Sequence, residues 1–297
     1  MRPLGPLEVS VVGLGCNNFG RRIDEARARE VVLAALDAGV TFFDTAEMYS
    51  DGESERFLGR ALGSRRGDVV VATKFGWVPQ TDPPGGSPEY IRRAIDGSLE
   101  RLGTDYVDLY QYHRPDGVTP IEETLGALDE LVRAGKVRAI GSSNFSAAQV
   151  READAAARGR GSARFVSAQN EYSLLERGVE RELVPALEEL GLALIPFFPL
   201  ARGLLTGKVR RGEPPPAGTR LADQGGAEDA DWDRIEALES LASRHGVTLL
   251  DVAVGGLAAL PAVVSVIAGA TSAAQVRANV AAGEWVPSPE ALAELRA

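Results

Sequence analysis

Four side chains able to move a proton stand at or just past the ends of apolar, β-branched runs. Asp44 closes VTFFDTA, Tyr49 follows in AEMYS, Lys74 closes DVVVATKF and His113 closes VDLYQYH. If such runs are parallel strands of a closed barrel, their C-terminal ends converge on one face, where active sites are built. A carboxylate, a phenol, an ammonium and an imidazole meeting there make a proton-donating site beside an apolar pocket. Singly, each has a simpler reading. Asp44 can be a helix cap or ion-pair partner, Tyr49 rim packing, Lys74 a surface charge or Schiff-base nucleophile, and His113 the partner of a backbone carbonyl. Their joint occurrence points to an enzyme rather than a scaffold.

The elements that must position them repeat in one rhythm. Eight short runs (VSVVGLG, VTFFDTA, VVVATKF, VDLYQYH, VRAIGSS, FVSAQNE, ALIPFFP and VVSVIAG) alternate with amphipathic stretches. The runs are rich in Val and Ile and lack polar alternation, as strands buried on both faces do. Between them, DEARAREVVLAALDAG has Asp24 as N-cap and stops at Gly39, and SPEYIRRAIDGSLERLG has Ser87 ahead of Pro88 and stops at Gly103. TPIEETLGALDELVRAG is read the same way, with Thr119 ahead of Pro120 and Gly135 as the stop. Eight strand–helix units with short links predict an α/β fold, a (β/α)8 TIM barrel of parallel strands. No composition shift marks a boundary, so residues 1–297 are expected to form a single domain. The segment before Val11 is expected to be a small hairpin plugging the far end. Two stretches break the rhythm: GWVPQTDPPGGSP after the third run, and about Ala201 to Ala230, which contains GEPPPAG and DQGGAEDAD. A connection this long in a compact domain reads as a lid or mobile segment. Both emerge on the face that carries the four residues.

Composition narrows the partners. The 297-residue chain is 44% hydrophobic with a net charge of −10, a balance that reads against a phosphate-backbone binder and hence against nucleic acid. No run approaches the roughly 20 apolar residues of a membrane span. MRPLGPLEVS lacks the apolar core and cleavage site of a signal peptide, and the lone Cys16 has no internal partner, so a reducing cytoplasm is expected. No metal site is read. Lysine occurs only at positions 74, 136 and 208, which makes one at a strand end less incidental.

The stretches DTAEMYSDGESERFLGRAL, RLGTDYVDLYQYHRPD, LVRAGKVRAIGSSNFS and PFFPLARGLLTGK resemble the signature blocks of the aldo-keto reductase superfamily, in the same order, from the GLG at Gly13 to NVAA at Asn279. The resemblance implies a barrel that binds a nicotinamide cofactor without a Rossmann domain, and no GxGxxG opens a strand–turn–helix unit here. It also places the family's catalytic tetrad on Asp44, Tyr49, Lys74 and His113. Elementary chemistry fits those roles. A free tyrosine has a pKa of about 10, and a nearby ammonium stabilises its phenolate and lowers that value. Tyr49 is then the acid, Lys74 its tuner, Asp44 the group that holds Lys74, and His113 a donor to the substrate oxygen.

The same resemblance implies cofactor contacts. Ser143, Asn144 and Gln169 match the polar trio that grips the nicotinamide carboxamide, whose recognition needs both donors and acceptors. Phe197 stands where many relatives carry a tyrosine stacked on the nicotinamide, and Phe198 where serine is usual. Leu200, Arg202, Leu204 and Lys208 lie in a segment resembling the loop over the pyrophosphate. Gly269, Thr271, Ser272, Gln275 and Asn279 match the adenosine-binding strand end and helix, whose N-terminus suits phosphate. The basic residue many NADPH-preferring relatives carry there is missing, and Arg202, Lys208, Arg210 or Arg211 can substitute. NADPH is the expected cofactor, with NADH the alternative. Asn18, Trp77 and Phe198, with Tyr112 at the margin, would line an apolar slot for a small-molecule aldehyde, ketone or quinone, or the corresponding alcohol. Nothing in the sequence specifies an oligomeric state. Two other classes fit the residues: a cofactor-sensing regulatory protein with little turnover, and a lyase using Lys74 as a Schiff-base nucleophile.

Overall fold

The computed structural model describes residues 1–77, 81–223 and 225–296. All eight apolar runs become parallel strands. They are β3 (Val12–Gly15), β4 (Phe42–Asp44), β5 (Val70–Phe75), β6 (Val107–Tyr112), β7 (Val137–Ser143), β8 (Phe165–Glu171), β9 (Ala193–Phe197) and β10 (Val266–Gly269). They pair in the order β10-β3-β4-β5-β6-β7-β8-β9, and a parallel bridge from Leu194 to Val263, just ahead of β10, brings the two ends of the sheet together. Between the strands run α1 (Glu25–Asp37), α2 (Glu53–Leu62), α3 (Pro88–Leu102), α4 (Ile121–Arg133), α5 (Ala147–Arg160) and α6 (Leu183–Leu190). After β9 come the short α7 (Arg220–Asp223), α8 (Trp232–Arg244) and α9 (Leu249–Asp251), the last continuing into a π turn over Val252–Gly256. Then α10 (Ala273–Ala282) and α11 (Pro289–Arg296) follow β10. This is the (β/α)8 TIM barrel.

The caps explain where the helices begin. Asp24 accepts from the Arg27 amide and Ser87 from the Tyr90 amide, each meeting an otherwise unpaired N–H of the first turn. The third expected cap is different. Thr119 turns its hydroxyl to Asp116 Oδ2 at 2.7 Å, and Pro120 rather than Thr119 flanks α4, which opens at Ile121. Asp116 draws the threonine away by accepting from the amides of Val118 and Thr119 and from the Gly86 amide across the loop. The stretch from Ala201 to Ala230 holds more structure than expected: a 3-10 turn over Ala201–Thr206, and α7. In GWVPQTDPPGGSP, residues 78–80 lie outside the described ones.

The N-terminal hairpin pairs β1 (Arg2–Leu4) with β2 (Leu7–Val9). Leu4, Leu7 and Val9 pack against Phe42, Ala72, Leu109, Ala139, Ile195 and Ile267, so the hairpin plugs the end where the strands begin. Its turn requires glycine: Gly5 has φ +57°, and a Cβ there would sit 2.5 Å from Val166 Cγ1. Side chains alternate across a strand, so the residues two places further on (Asp44, Lys74, Gln111, Gly141 and Phe197) form the next layer toward the mouth. The outward residues, such as Tyr110 and Tyr112, join the helix-facing core instead. Leu4 is fully buried. Leu4→Ala should therefore cost about 2–5 kcal/mol in urea-induced unfolding, whereas a change near zero would mean that the plug contributes nothing.

Candidate active site

Three strand ends and one turn bring the expected tetrad together. Asp44 ends β4, Lys74 is the penultimate residue of β5, and His113 follows β6 directly. Tyr49 comes from the turn after β4, which is tied to β5 by Glu47. The Glu47 carboxylate accepts from the Gly76 amide and the Tyr90 hydroxyl, both at 2.8 Å, while its own amide donates to the Lys74 carbonyl at 3.1 Å. Lys74 Nζ, fully buried, donates to Asp44 Oδ2 at 2.6 Å, to the Thr45 carbonyl at 2.9 Å and to the Tyr49 hydroxyl at 3.3 Å. The three donors of the ammonium thus meet three oxygens. The His113 ring meets the Tyr49 ring edge-on at 5.9 Å, with Trp77 on its other flank at 4.6 Å.

Electrostatics separates the three titrating partners. Burial alone would push the Lys74 ammonium down, but the Asp44 carboxylate, the Tyr49 oxygen and their hydrogen bonds outweigh it and raise its pKa. A lysine held protonated in this way is unsuited to Schiff-base attack, which removes the support for the lyase reading. Tyr49 corrects an expectation. Burial raises its pKa, and the opposing pull of Lys74 does not bring it below the ordinary value. The phenol is therefore firmly protonated at neutral pH. His113 is pushed well below its usual range by burial and by Lys74, and among the described residues its buried Nδ1 has no partner. It is a neutral imidazole, able to hydrogen-bond but not to supply a charge.

The residues matched to the carboxamide grip cluster at the ends of β7 and β8. Ser143 Oγ accepts from Asn144 Nδ2 at 3.1 Å, and Asn144 Nδ2 also donates to the His113 carbonyl at 2.9 Å. Gln169 Nε2 reaches inward to Asp44 Oδ1 at 2.8 Å, where Gln111 Nε2 also arrives, at 3.1 Å. Phe197 and Phe198 meet edge-to-face at 5.3 Å. An open cleft of about 490 Å³, lined in part by Arg114, Asn144, Asn170, Glu171 and Phe197, adjoins this corner. Farther round the mouth, Ser272 caps α10, and Gln275 Oε1 accepts from the amide and hydroxyl of Thr271. Gly269 ends β10, and a Cβ there would lie 3.2 Å from Asn18 Nδ2. Asn279 is buried on α10.

The loop residues divide into two groups. Leu200 gives its carbonyl to the amides of Gly203 and Leu205, closing the 3-10 turn, and Leu204 packs on the core. Arg202 lies 3.4 Å from Glu171 and covers the Phe198 ring, while Lys208 is exposed. Arg210 and Arg211, two of the suggested phosphate cations, are instead bound to acids of α8: Glu239 for the first, Asp233 and Glu236 for the second. Tyr112 stacks on Phe75 and its hydroxyl oxygen accepts from the Asp116 amide, so it belongs to the wall outside the barrel. Asn18 is nearly buried, with its amide engaged by the Ala270 carbonyl and by Arg220.

Sequence reading passed over two of these groups. Gln111 shares strand parity with His113, a signal that was available. Arg220 was not legible: its guanidinium comes from α7 to stand 5.0 Å from the Phe198 ring and 3.2 Å from Asn18 Oδ1, a contact across 202 residues. Burial and the neighbouring Arg22, Arg21 and Arg202 lower its pKa, and among the described residues no carboxylate pairs with it. Arg22, bound to Asp223 at 2.7 Å and to the Gly218 carbonyl, fastens the same segment down.

With this geometry in place, comparison with known proteins is decisive on one point: the chain belongs to the aldo/keto reductase family, whose model matches residues 11–297. It is 38% identical to a probable voltage-gated potassium channel subunit beta of Oryza sativa subsp. japonica, over 98% of this chain and 93% of that protein. It is also 38% identical to the uncharacterized oxidoreductase YrpG of Bacillus subtilis, over 94% of this chain and 88% of that one. Probable aldo-keto reductase 1 of Glycine max is 37% identical, over 81% and 71% respectively.

The buried His113 yields a test. Unfolded, an imidazole takes up a proton below about pH 6.5; folded, this one does so only at much lower pH, so stability falls as pH falls through that range. Relative to His113→Gln, the wild type should lose roughly 1 kcal/mol of unfolding free energy between pH 7.5 and pH 5.5. A pH-independent difference would mean that the imidazole titrates normally.

Proposed function

We propose that this chain is an NAD(P)H-dependent reductase of aldehydes or ketones, working reversibly as an alcohol dehydrogenase, with Tyr49 as the proton donor. The observation that carries the reading is the sealed array in which Lys74 Nζ spans Asp44 and the Tyr49 hydroxyl while a neutral His113 lies against the phenol. An oxidoreductase role agrees with the family and with relatives named for it.

The chain's free groups fit a nicotinamide cofactor. Among the described residues, nothing donates to the Gln169 Oε1 or the Asn144 Oδ1, so the carboxamide corner keeps two acceptors. Phe197 offers an aromatic face at its edge, and Arg220 brings a cation without a carboxylate to the mouth. Ser143, Asn144, Gln169 and Phe197 would hold the nicotinamide end. Leu200, Arg202, Leu204, Lys208 and Arg220 would meet the phosphates, and Gly269, Thr271, Ser272, Gln275 and Asn279 the adenosine. NADPH is the favoured form. Bound there, the cofactor supplies a hydride to the carbonyl carbon.

Everything else falls to the protein. Trp77, packed against His113, and Phe198 would face the substrate, and Asn18 braces Arg220. His113 orients the carbonyl oxygen through a neutral hydrogen bond, and Tyr49 releases its proton as negative charge grows on that oxygen. A phenol so firmly protonated in the resting site keeps its proton until the forming alkoxide, a far stronger base, takes it. The fixed ammonium of Lys74 then stabilises the phenolate that remains.

A second reading, a cofactor-sensing subunit with little turnover, is favoured by the channel-subunit name of the rice relative. One experiment separates the two. Wild type should reduce simple aromatic aldehydes with NADPH faster than with NADH. Tyr49→Phe should lower kcat/KM by roughly 10²- to 10⁴-fold while cofactor affinity stays nearly unchanged. Undiminished turnover in Tyr49→Phe would sink the acid assignment, and tight cofactor binding with negligible wild-type turnover would favour the sensor.

A further inference from the structure

The polar layer inside the barrel contains a charge-linked side chain, Gln111, to which the proposed chemistry assigns nothing. Gln111 is fully buried on β6, in register with Lys74 on one side and Gly141 on the other. Its Nε2 donates to Asp44 Oδ1 at 3.1 Å, and its Oε1 accepts from Gln169 Nε2 at 3.2 Å. Gln169 Nε2 also donates to that same Asp44 oxygen at 2.8 Å. The sense of this triangle is forced. An ionised carboxylate only accepts, so each amide must present its NH2 end to it. With Gln169 Nε2 held from two sides, the oxygen of that amide is the end left over. Gly141 makes the room for this, since a Cβ there would lie 3.3 Å from Gln111 Cγ and 2.8 Å from Ser167 Oγ.

We propose that Gln111 is a positioning residue that fixes the Gln169 amide with its oxygen as the free end, so that the site offers an acceptor to the N–H of a nicotinamide carboxamide. The inference rests on the reductase reading above and adds a residue to it. Removing Gln111 leaves Gln169 a single anchor at Asp44, about which the amide can swing so that its oxygen is no longer held in one direction. The same triangle ties cofactor recognition to the carboxylate that holds Lys74, because Asp44 Oδ1 receives the amides while Asp44 Oδ2 receives the ammonium.

The test is a fluorescence titration with two dinucleotides: NADPH and its acetylpyridine analogue, which keeps the carbonyl on the ring but has no N–H to donate. Wild type should bind the analogue roughly 2- to 10-fold more weakly, the worth of one neutral hydrogen bond. In Gln111→Met, which fills similar space without polar ends, that preference should shrink toward unity. A purely structural role for Gln111 would weaken both dinucleotides equally and leave the ratio untouched, so an unchanged ratio overturns the proposal. An absence of preference in the wild type overturns it too. If Gln111→Met does not fold, Gly141→Ala, which presses on Gln111 from across the layer, must reduce the same ratio. Failure of wild type to bind either dinucleotide would overturn the reductase reading itself, and this proposal with it.

Discussion

The site depends on a buried ion pair. Taking Asp44 and Lys74 out of water costs several kcal/mol per ion, and their attraction offsets this only when the remaining hydrogen-bonding capacity is filled. Here it is. The Asp44 carboxylate receives Lys74, Gln111 and Gln169, and the Lys74 ammonium gives its protons to Asp44, the Thr45 carbonyl and Tyr49. Removing any one partner leaves a charge or an amide unsatisfied in the barrel interior. The pair therefore fixes the Tyr49 hydroxyl at a defined position, and Glu47 holds the turn that carries it.

The barrel supports this pair by stratification. At the strand starts, Phe42, Ala72, Leu109, Ala139 and Ile195 meet the hairpin in an apolar plug. Two residues further along four of these strands stand Asp44, Lys74, Gln111 and Gly141, while the fifth carries Phe197. The period of two in a strand makes the transition abrupt. The apolar layer keeps water from reaching the ion pair from below. The segment around α7, pinned by Arg22–Asp223 and by Arg220 against Asn18, spans part of the mouth above.

Much of this was legible in the sequence because local rules governed it. The eight strands followed from their β-branched runs, and α1 and α3 from Asp24 and Ser87, whose capping acts within one turn. The convergence of Asp44, Tyr49, Lys74 and His113 followed from strand order in a barrel. What escaped depended on competing partners, near and far. Thr119 was read as a cap, but Asp116, three residues earlier, accepts its hydroxyl instead. Arg210 and Arg211 were offered as phosphate cations, but α8 presents acids to both, while Arg220, in a stretch without periodicity, is the arginine that reaches the mouth. Tyr49 is the most instructive case. Its neighbour Lys74 was readable, yet the sign of its shift is set by burial, a property of the whole fold rather than of any pair.

The central claim is that the buried Lys74 ammonium, held by Asp44, makes Tyr49 an effective proton donor. The direct measurement is the single-turnover rate of deuteride transfer from C4-labelled NADPH to an aromatic aldehyde, comparing wild type with Lys74→Met. The account predicts one deuterium on the product carbinol carbon in wild type and a rate lower by roughly 10²-fold or more in the variant. A Lys74→Met protein that folds, binds NADPH and transfers deuteride at the wild-type rate would contradict it.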